Sequence, residues 1–141
     1  MTGLRMMLYA VLFCLAVAGC GLGGGPEVEL TFDDPLEAKL SEVAERSEPV
    51  RLRDLTDFEW DEVHIFYEGD SREEVEDVVG APVFRDKFYG SSGSLMVFED
   101  KDSVVKALAL TGEQVRADRP TWSADVLVVP YGLGYLHLAT P

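Results

Sequence analysis

The sequence predicts an α+β fold, with one mostly antiparallel sheet of four to six strands and two short helices on one face of it. Two pairs of β-prone runs each flank a polar or glycine-rich turn, which predicts two hairpins. Two other segments begin with an N-cap residue and continue with apolar residues at helical spacing, which predicts two helices. Because both helices precede most of the strands, the order indicates an α+β domain.

The two predicted helices each have a recognisable start. Asp34-Pro35 combines a favourable N-cap with a proline in the first turn, and apolar residues at helical spacing extend this helix to about residue 47. Ser71 and Glu74 have the spacing of a capping box. A glycine and a proline end that segment, so the second helix is predicted over residues 72–79.

The predicted strands follow from alternating or continuous apolar runs bounded by turn residues. The last four strands form the two hairpins, and residues 111–123 between them are predicted to be mostly loop. The strands are predicted at residues 26–34, 57–67, 94–99, 104–110, 126–129 and 135–138.

The N-terminal segment differs in composition from the rest of the chain. Arg5 is its single charged residue, and a weakly polar to apolar run extends from Met6 to Gly19. As a helix this run would span about 21 Å, which is short of the roughly 30 Å of a bilayer core. A positive start, a short apolar stretch and small residues at its end predict a secretory signal peptide over residues 1–19.

The end of this segment, Val17-Ala18-Gly19-Cys20, resembles the lipobox of bacterial lipoproteins. The resemblance implies cleavage between Gly19 and Cys20 and a diacylglyceryl group on the Cys20 sulfur. Cys14 lacks this context, because the bulky Phe13 precedes it. The alternatives are an ordinary secretory signal with a chance cysteine, or a short membrane anchor.

Lipidation at Cys20 would divide the chain into three parts: the signal peptide, a tether at 20–34 and a single small α+β domain at 35–141. Glycines 21 and 23–25 give the tether its high backbone freedom. Two acyl chains make a stable anchor. We therefore expect the protein at the cell membrane or the outer membrane, with its domain outside the cytoplasm.

Charge and composition exclude several functions. The 141 residues include 26 acidic and 12 basic side chains, a formal charge of −14. A nucleic-acid partner is not expected, because such binders need an excess of Lys and Arg. A zinc site needs three or four Cys, His or carboxylate ligands with a near pair at defined spacing, and His64 and His137 each lie alone in a strand-like run, so we predict no metal site and no cofactor.

Residues 55–66, from Leu55 to Phe66, together with the short helix ending in Gly80, resemble a group of uncharacterised small bacterial lipoproteins with a Phe-x-Trp-Asp-x-Val motif. The group has no established activity to carry over. Residues 71–82 are also similar to the helix-Gly-x-Pro segment of SmpA/BamE-type lipoproteins, which help to assemble outer-membrane barrels.

The leading functional hypothesis is a non-catalytic, membrane-tethered lipoprotein that acts as an interaction or assembly module of the cell envelope. Its acidic surface would suit a basic partner protein. The candidate interface residues are Trp60, Asp61, Tyr67, Phe88 and Tyr89. We predict no catalytic residue, although Asp61 beside the Trp60 ring is the most interesting acid, since an aromatic neighbour can desolvate a carboxyl group.

Two alternatives belong to other functional classes. A small-ligand binder would use the concave face of the sheet and needs a preformed apolar pocket lined by aromatic residues. A hydrolase of unfamiliar type needs two converging carboxylates or a Ser–His–acid set, for which His64 and His137 are the available histidines.

Overall fold

The computed structural model describes residues 28–32, 34–111 and 114–141. The predicted signal peptide at 1–19 and residues 20–27 of the predicted tether at 20–34, including Gly19 and Cys20, lie outside these residues. In chain order the elements are β1 (Leu30–Thr31), α1 (Pro35–Ala44), β2 (Val50–Arg51), α2 (Leu52–Leu55), β3 (Glu62–Phe66), α3 (Arg72–Val79), β4 (Leu95–Asp100), β5 (Ser103–Ala109), β6 (Val115–Arg116), β7 (Thr121–Ser123), β8 (Leu127–Gly132) and β9 (Tyr135–Ala139).

The two longer helices begin where the sequence predicts. The Asp34 carboxylate accepts a hydrogen bond from Leu36 N at the start of α1, and Ser71 and Glu74 form a complete capping box at the start of α3. α3 ends at Gly80, which has a φ of +70° that suits glycine. α1 ends at Ala44, earlier than predicted, because the following residues 45–48 are polar and exposed and bury nothing that would extend the helix.

Five strands form the first sheet, in the order β1-β5-β4-β3-β7. All neighbours are antiparallel except β1 and β5. The predicted β4–β5 hairpin is confirmed. Lys101 and Asp102 form its two-residue turn with φ values of +50° and +62°, as in the tight turns whose twist matches that of paired strands.

The other four strands form a second sheet, in the order β2-β8-β9-β6. The predicted β8–β9 hairpin is its centre. The α+β class is confirmed, but the strands divide between two mixed sheets, where the sequence predicted one. The division arises because the hairpin pairs with β2 and β6 rather than with the first sheet. Residues 111–123, predicted as loop, supply β6 to the second sheet and β7 to the first.

Two apolar clusters lie against opposite faces of the first sheet. The central core joins this sheet to the second sheet and α1, whereas the α3 core lies on the other face. Both faces are covered because successive residues of β4 are all apolar up to Phe98, so each face needs a partner. The longer helices therefore pack on opposite faces, not on one face as predicted. The central strands show this alternation: Val63, Ile65, Met96 and Phe98 enter the central core, and Phe66, Leu95 and Val97 enter the α3 core.

Within the described ranges, none of the helices has the length and apolar character needed to cross a bilayer.

Candidate functional site

The predicted interface residue Trp60 lies in the central core. Its side chain is 2% exposed, and its indole N–H donates to Thr56 Oγ1 at 2.9 Å. The ring packs edge-on against Phe98. Trp60 therefore supports the fold and has no surface to offer a partner. Tyr89 is likewise buried, whereas Phe88 is half-exposed.

Asp61 and Tyr67 both make local structural contacts. Asp61 Oδ2 accepts a hydrogen bond from Lys101 N at 3.1 Å, so this exposed carboxylate holds the β4–β5 turn. The Tyr67 hydroxyl accepts one from Ala117 N at 2.8 Å and fixes the segment before β7. The contact of Asp61 is that of a capping carboxylate.

The tip of the β8–β9 hairpin exposes large apolar side chains. We call Tyr131, Leu133 and Tyr135 the hairpin tip; their exposed fractions are 74%, 98% and 41%. The turn residues Leu133 and Gly134 have φ values of +53° and +82°. Leucine is disfavoured at such a φ because its Cβ crowds the backbone, at a cost of about 1–2 kcal/mol. The tip therefore combines apolar exposure with local strain, and neither favours folding.

The chain segment that carries the hairpin tip has no charged side chain. Residues 126–141 contain no Asp, Glu, Lys or Arg, although the whole chain carries −14. A groove of about 560 Å³ runs beside the tip, lined by it together with Arg116 and His137. The Arg116 guanidinium lies 5.7 Å from the centre of the Tyr135 ring, and the His137 ring meets Tyr131 edge-on at 5.4 Å. Aromatic residues with one arginine and few acids are typical of the centre of a protein interface.

A second group of functional side chains lies on the first sheet. Glu62 and His64 are two residues apart on β3 and so share a face, and Glu99 on β4 is the register partner of Glu62. His64 Nε2 lies 2.7 Å from Glu99 Oε2 and 4.0 Å from Glu62 Oε2. We call these three residues the His64 cluster. His64 and Glu99 are 2% and 7% exposed, and Glu62 lies at the surface.

The other ring nitrogen of His64 is also engaged. Nδ1 lies 2.9 Å from the Thr121 hydroxyl, which β7 places beside β3. Thr121, His64 and Glu99 thus form a continuous hydroxyl–imidazole–carboxylate series, with threonine in the place of the serine that the hydrolase alternative names.

Sequence reasoning missed both groups for different reasons. The His64 cluster needs Glu99, which is 35 residues from His64 along the chain and adjacent only through strand register. The spacing Glu62-x-His64 in a predicted strand was the local signal for it. The hairpin tip was present in the sequence as Tyr131-Gly132-Leu133-Gly134-Tyr135. A leucine between two glycines, where asparagine or aspartate is usual, was the signal there.

Comparison of the chain with protein-family models, curated proteins and solved structures finds no significant match. The three resemblances described above therefore stay predictions based on short segments.

Proposed function

We propose that this protein is a membrane-tethered lipoprotein of the cell envelope, anchored through a diacylglyceryl group on Cys20, whose domain binds another envelope protein. The binding surface is the hairpin tip. The observation that carries this proposal is the exposure of Tyr131, Leu133 and Tyr135 within a segment free of charged residues. Exposed apolar surface of this kind commonly marks an interaction site.

The partner is a protein that presents an apolar contact surface flanked by Lys and Arg. The apolar part follows from the hairpin tip, which can bury its aromatic rings only against similar groups. The basic flanks follow from the charge of −14 on the rest of the chain, which attracts cations at long range and repels acidic surfaces. The same charge opposes direct contact of the tip with an anionic membrane.

Two alternatives each have one observation in their favour. The groove beside the hairpin tip is large enough for a small ligand, and the Thr121–His64–Glu99 series suits a hydrolase. The interaction module is preferred because it accounts for the 98% exposure of Leu133. Leu133 lines the groove but leaves almost all of its surface in solvent, and it lies on a different sheet from the Thr121–His64–Glu99 series.

The test is photocrosslinking in cells with a photoreactive residue at position 131. We expect one discrete crosslinked species, which is lost when Leu133→Asn is added. Position 105 is the matched control, since Val105 is also exposed, at 46%, but lies on β5 in the other sheet; no adduct is expected there, and Val105→Asn should leave the position-131 adduct intact.

The adduct must then be reproduced with the purified pair. Leu133→Asn should weaken binding by about tenfold or more, as for a central apolar residue of an interface, and added salt should slow association. A crosslink to lipid, to a second copy of this chain or to no molecule at all would contradict the proposal, as would a partner without basic residues around its contact surface.

A further inference from the structure

We propose that the His64 cluster is a binding site for a divalent first-row transition-metal ion, with Zn²⁺ as its representative. The ligands would be His64 Nε2 and one carboxylate oxygen each from Glu62 and Glu99, which all lie within 4.8 Å of one another. This inference does not depend on the proposed function, because the cluster and the hairpin tip belong to different sheets.

The His64 cluster contains more acidic than basic groups, which favours a bound cation. Two carboxylates face one imidazole, and no ion pair between Glu62 or Glu99 and a Lys or Arg is present in the described part of the chain. A protonated His64 balances one of the two negative charges, and Glu99 is nearly excluded from water. A divalent ion bound to a neutral imidazole balances both carboxylates, that of the buried Glu99 and that of the surface residue Glu62.

The geometry requires little movement. Metal–ligand bonds of about 2.0–2.2 Å place neighbouring ligand atoms about 3–3.5 Å apart. Glu99 Oε2 lies 2.7 Å from His64 Nε2 and would move away from it by a few tenths of an ångström. Glu62 Oε2 lies 4.0 Å from the same nitrogen and would move towards it. Glu62 can do so because its side chain is 54% exposed. The solvent side of Glu62 leaves room for water as a further ligand.

Thr121 provides the support that metal-binding histidines usually have. With the proton on Nδ1, His64 donates to Thr121 Oγ1, and the Nε2 lone pair then faces the two carboxylates. Such a second hydrogen bond fixes the tautomer and the ring orientation of a ligating histidine. An imidazole ligand favours zinc and similar ions over Ca²⁺ or Mg²⁺, which prefer oxygen ligands alone.

The test is calorimetric titration of the metal-stripped, purified full-length chain in detergent with Zn²⁺, compared with Mg²⁺. We expect one Zn²⁺ per chain, at least a tenfold weaker affinity in Glu62→Gln, and loss of binding in His64→Gln and Glu99→Gln. Thr121→Val should weaken the affinity by about 10- to 100-fold. Excess Mg²⁺ should not displace the bound Zn²⁺.

His137→Gln is the matched control, since it removes the other histidine of the chain and should leave Zn²⁺ binding unchanged. Glu62→Gln keeps the experiment decisive if the buried variants fail to fold, because Glu62 is a surface residue. The proposal is overturned if the chain takes up no Zn²⁺, if Glu62→Gln binds as tightly as the unmodified protein, or if His137→Gln abolishes binding.

Discussion

Leu133 occupies a turn position at which its residue type is doubly unfavourable. Its φ of +53° crowds a branched side chain, and 98% of that side chain faces solvent. Asparagine adopts the same backbone conformation more readily, because its short polar side chain can form local hydrogen bonds. The strained, exposed leucine therefore supports the hypothesis that this position serves binding rather than stability.

We expect Leu133→Asn to stabilise the domain by about 1 kcal/mol, the lower end of the cost of leucine in this conformation. The midpoint of urea unfolding should rise with an unchanged slope, since the buried area is unaffected. The same substitution should abolish the adduct formed by the photoreactive residue at position 131. Val105→Asn should not raise the midpoint, and a lower midpoint for Leu133→Asn would show that the leucine stabilises the turn.

Among the elements, helix α1 depends on a single residue at its start. Asp34 caps α1 through Leu36 N and also forms an ion pair with Lys106 of β5, which ties the helix to the first sheet. Burial raises the pKa of Asp34, but the hydrogen bonds from Lys106 and Leu36 and the Lys106 charge outweigh it, so the pKa lies below its ordinary value of 3.8. The charged form is the one that the fold stabilises.

This depressed pKa makes the stability of the domain dependent on acid pH. The contribution of Asp34 is complete above 3.8 and is lost as the pH falls through the lower folded value. At pH 7, Asp34→Ala should cost about 0.5–2 kcal/mol, and Asp34→Asn, which keeps the cap, should cost less. Urea unfolding should be measured between pH 7 and pH 2. As the pH falls, the free energy of unfolding of the unmodified protein should approach that of Asp34→Asn. A difference in free energy of unfolding between the two proteins that stays constant with pH would contradict this explanation.

The predictability of the elements depended on their length. α3 and the two hairpins were predicted because Ser71, Glu74 and the apolar runs carry local signals. α2 has four residues and β2, β6 and β7 have two or three, which is too short for any hydrophobic period to appear. These short elements decide the division into two sheets and bring Thr121 to His64. The sheet arrangement and the His64 cluster therefore depend on tertiary pairing that the local sequence does not encode.

At the scale of the whole molecule, charge and apolar exposure are separated. All 26 acidic side chains precede residue 126, and the last sixteen residues have no Asp, Glu, Lys or Arg. In the proposed location, negative charge keeps most of the domain away from an anionic membrane surface, and the lipid provides the attachment. The proposed anchor at Cys20 and the proposed binding surface at the hairpin tip thus lie in opposite parts of the sequence.

This division predicts that attachment depends on Cys20 alone. Cys20→Ser should abolish incorporation of labelled palmitate in cells and remove the lipid mass from the N-terminus of the processed protein. Cys14→Ser should retain both, because Phe13 makes its context unsuitable for lipidation. Labelled Cys20→Ser protein, or an unlipidated unmodified protein, would refute the anchor, and the fold of residues 35–141 would be unaffected by that outcome.

The short edge strands of the two sheets affect how the protein behaves when many copies are close together. In the described part of the chain all four edge strands, β1, β7, β2 and β6, are only two or three residues long. An edge this short offers few free backbone groups to a neighbour, so it is a poor template for adding further strands. Proteins tethered side by side on a membrane meet far more often than proteins in dilute solution. The short edges would let this domain be crowded in two dimensions without stacking into fibrils.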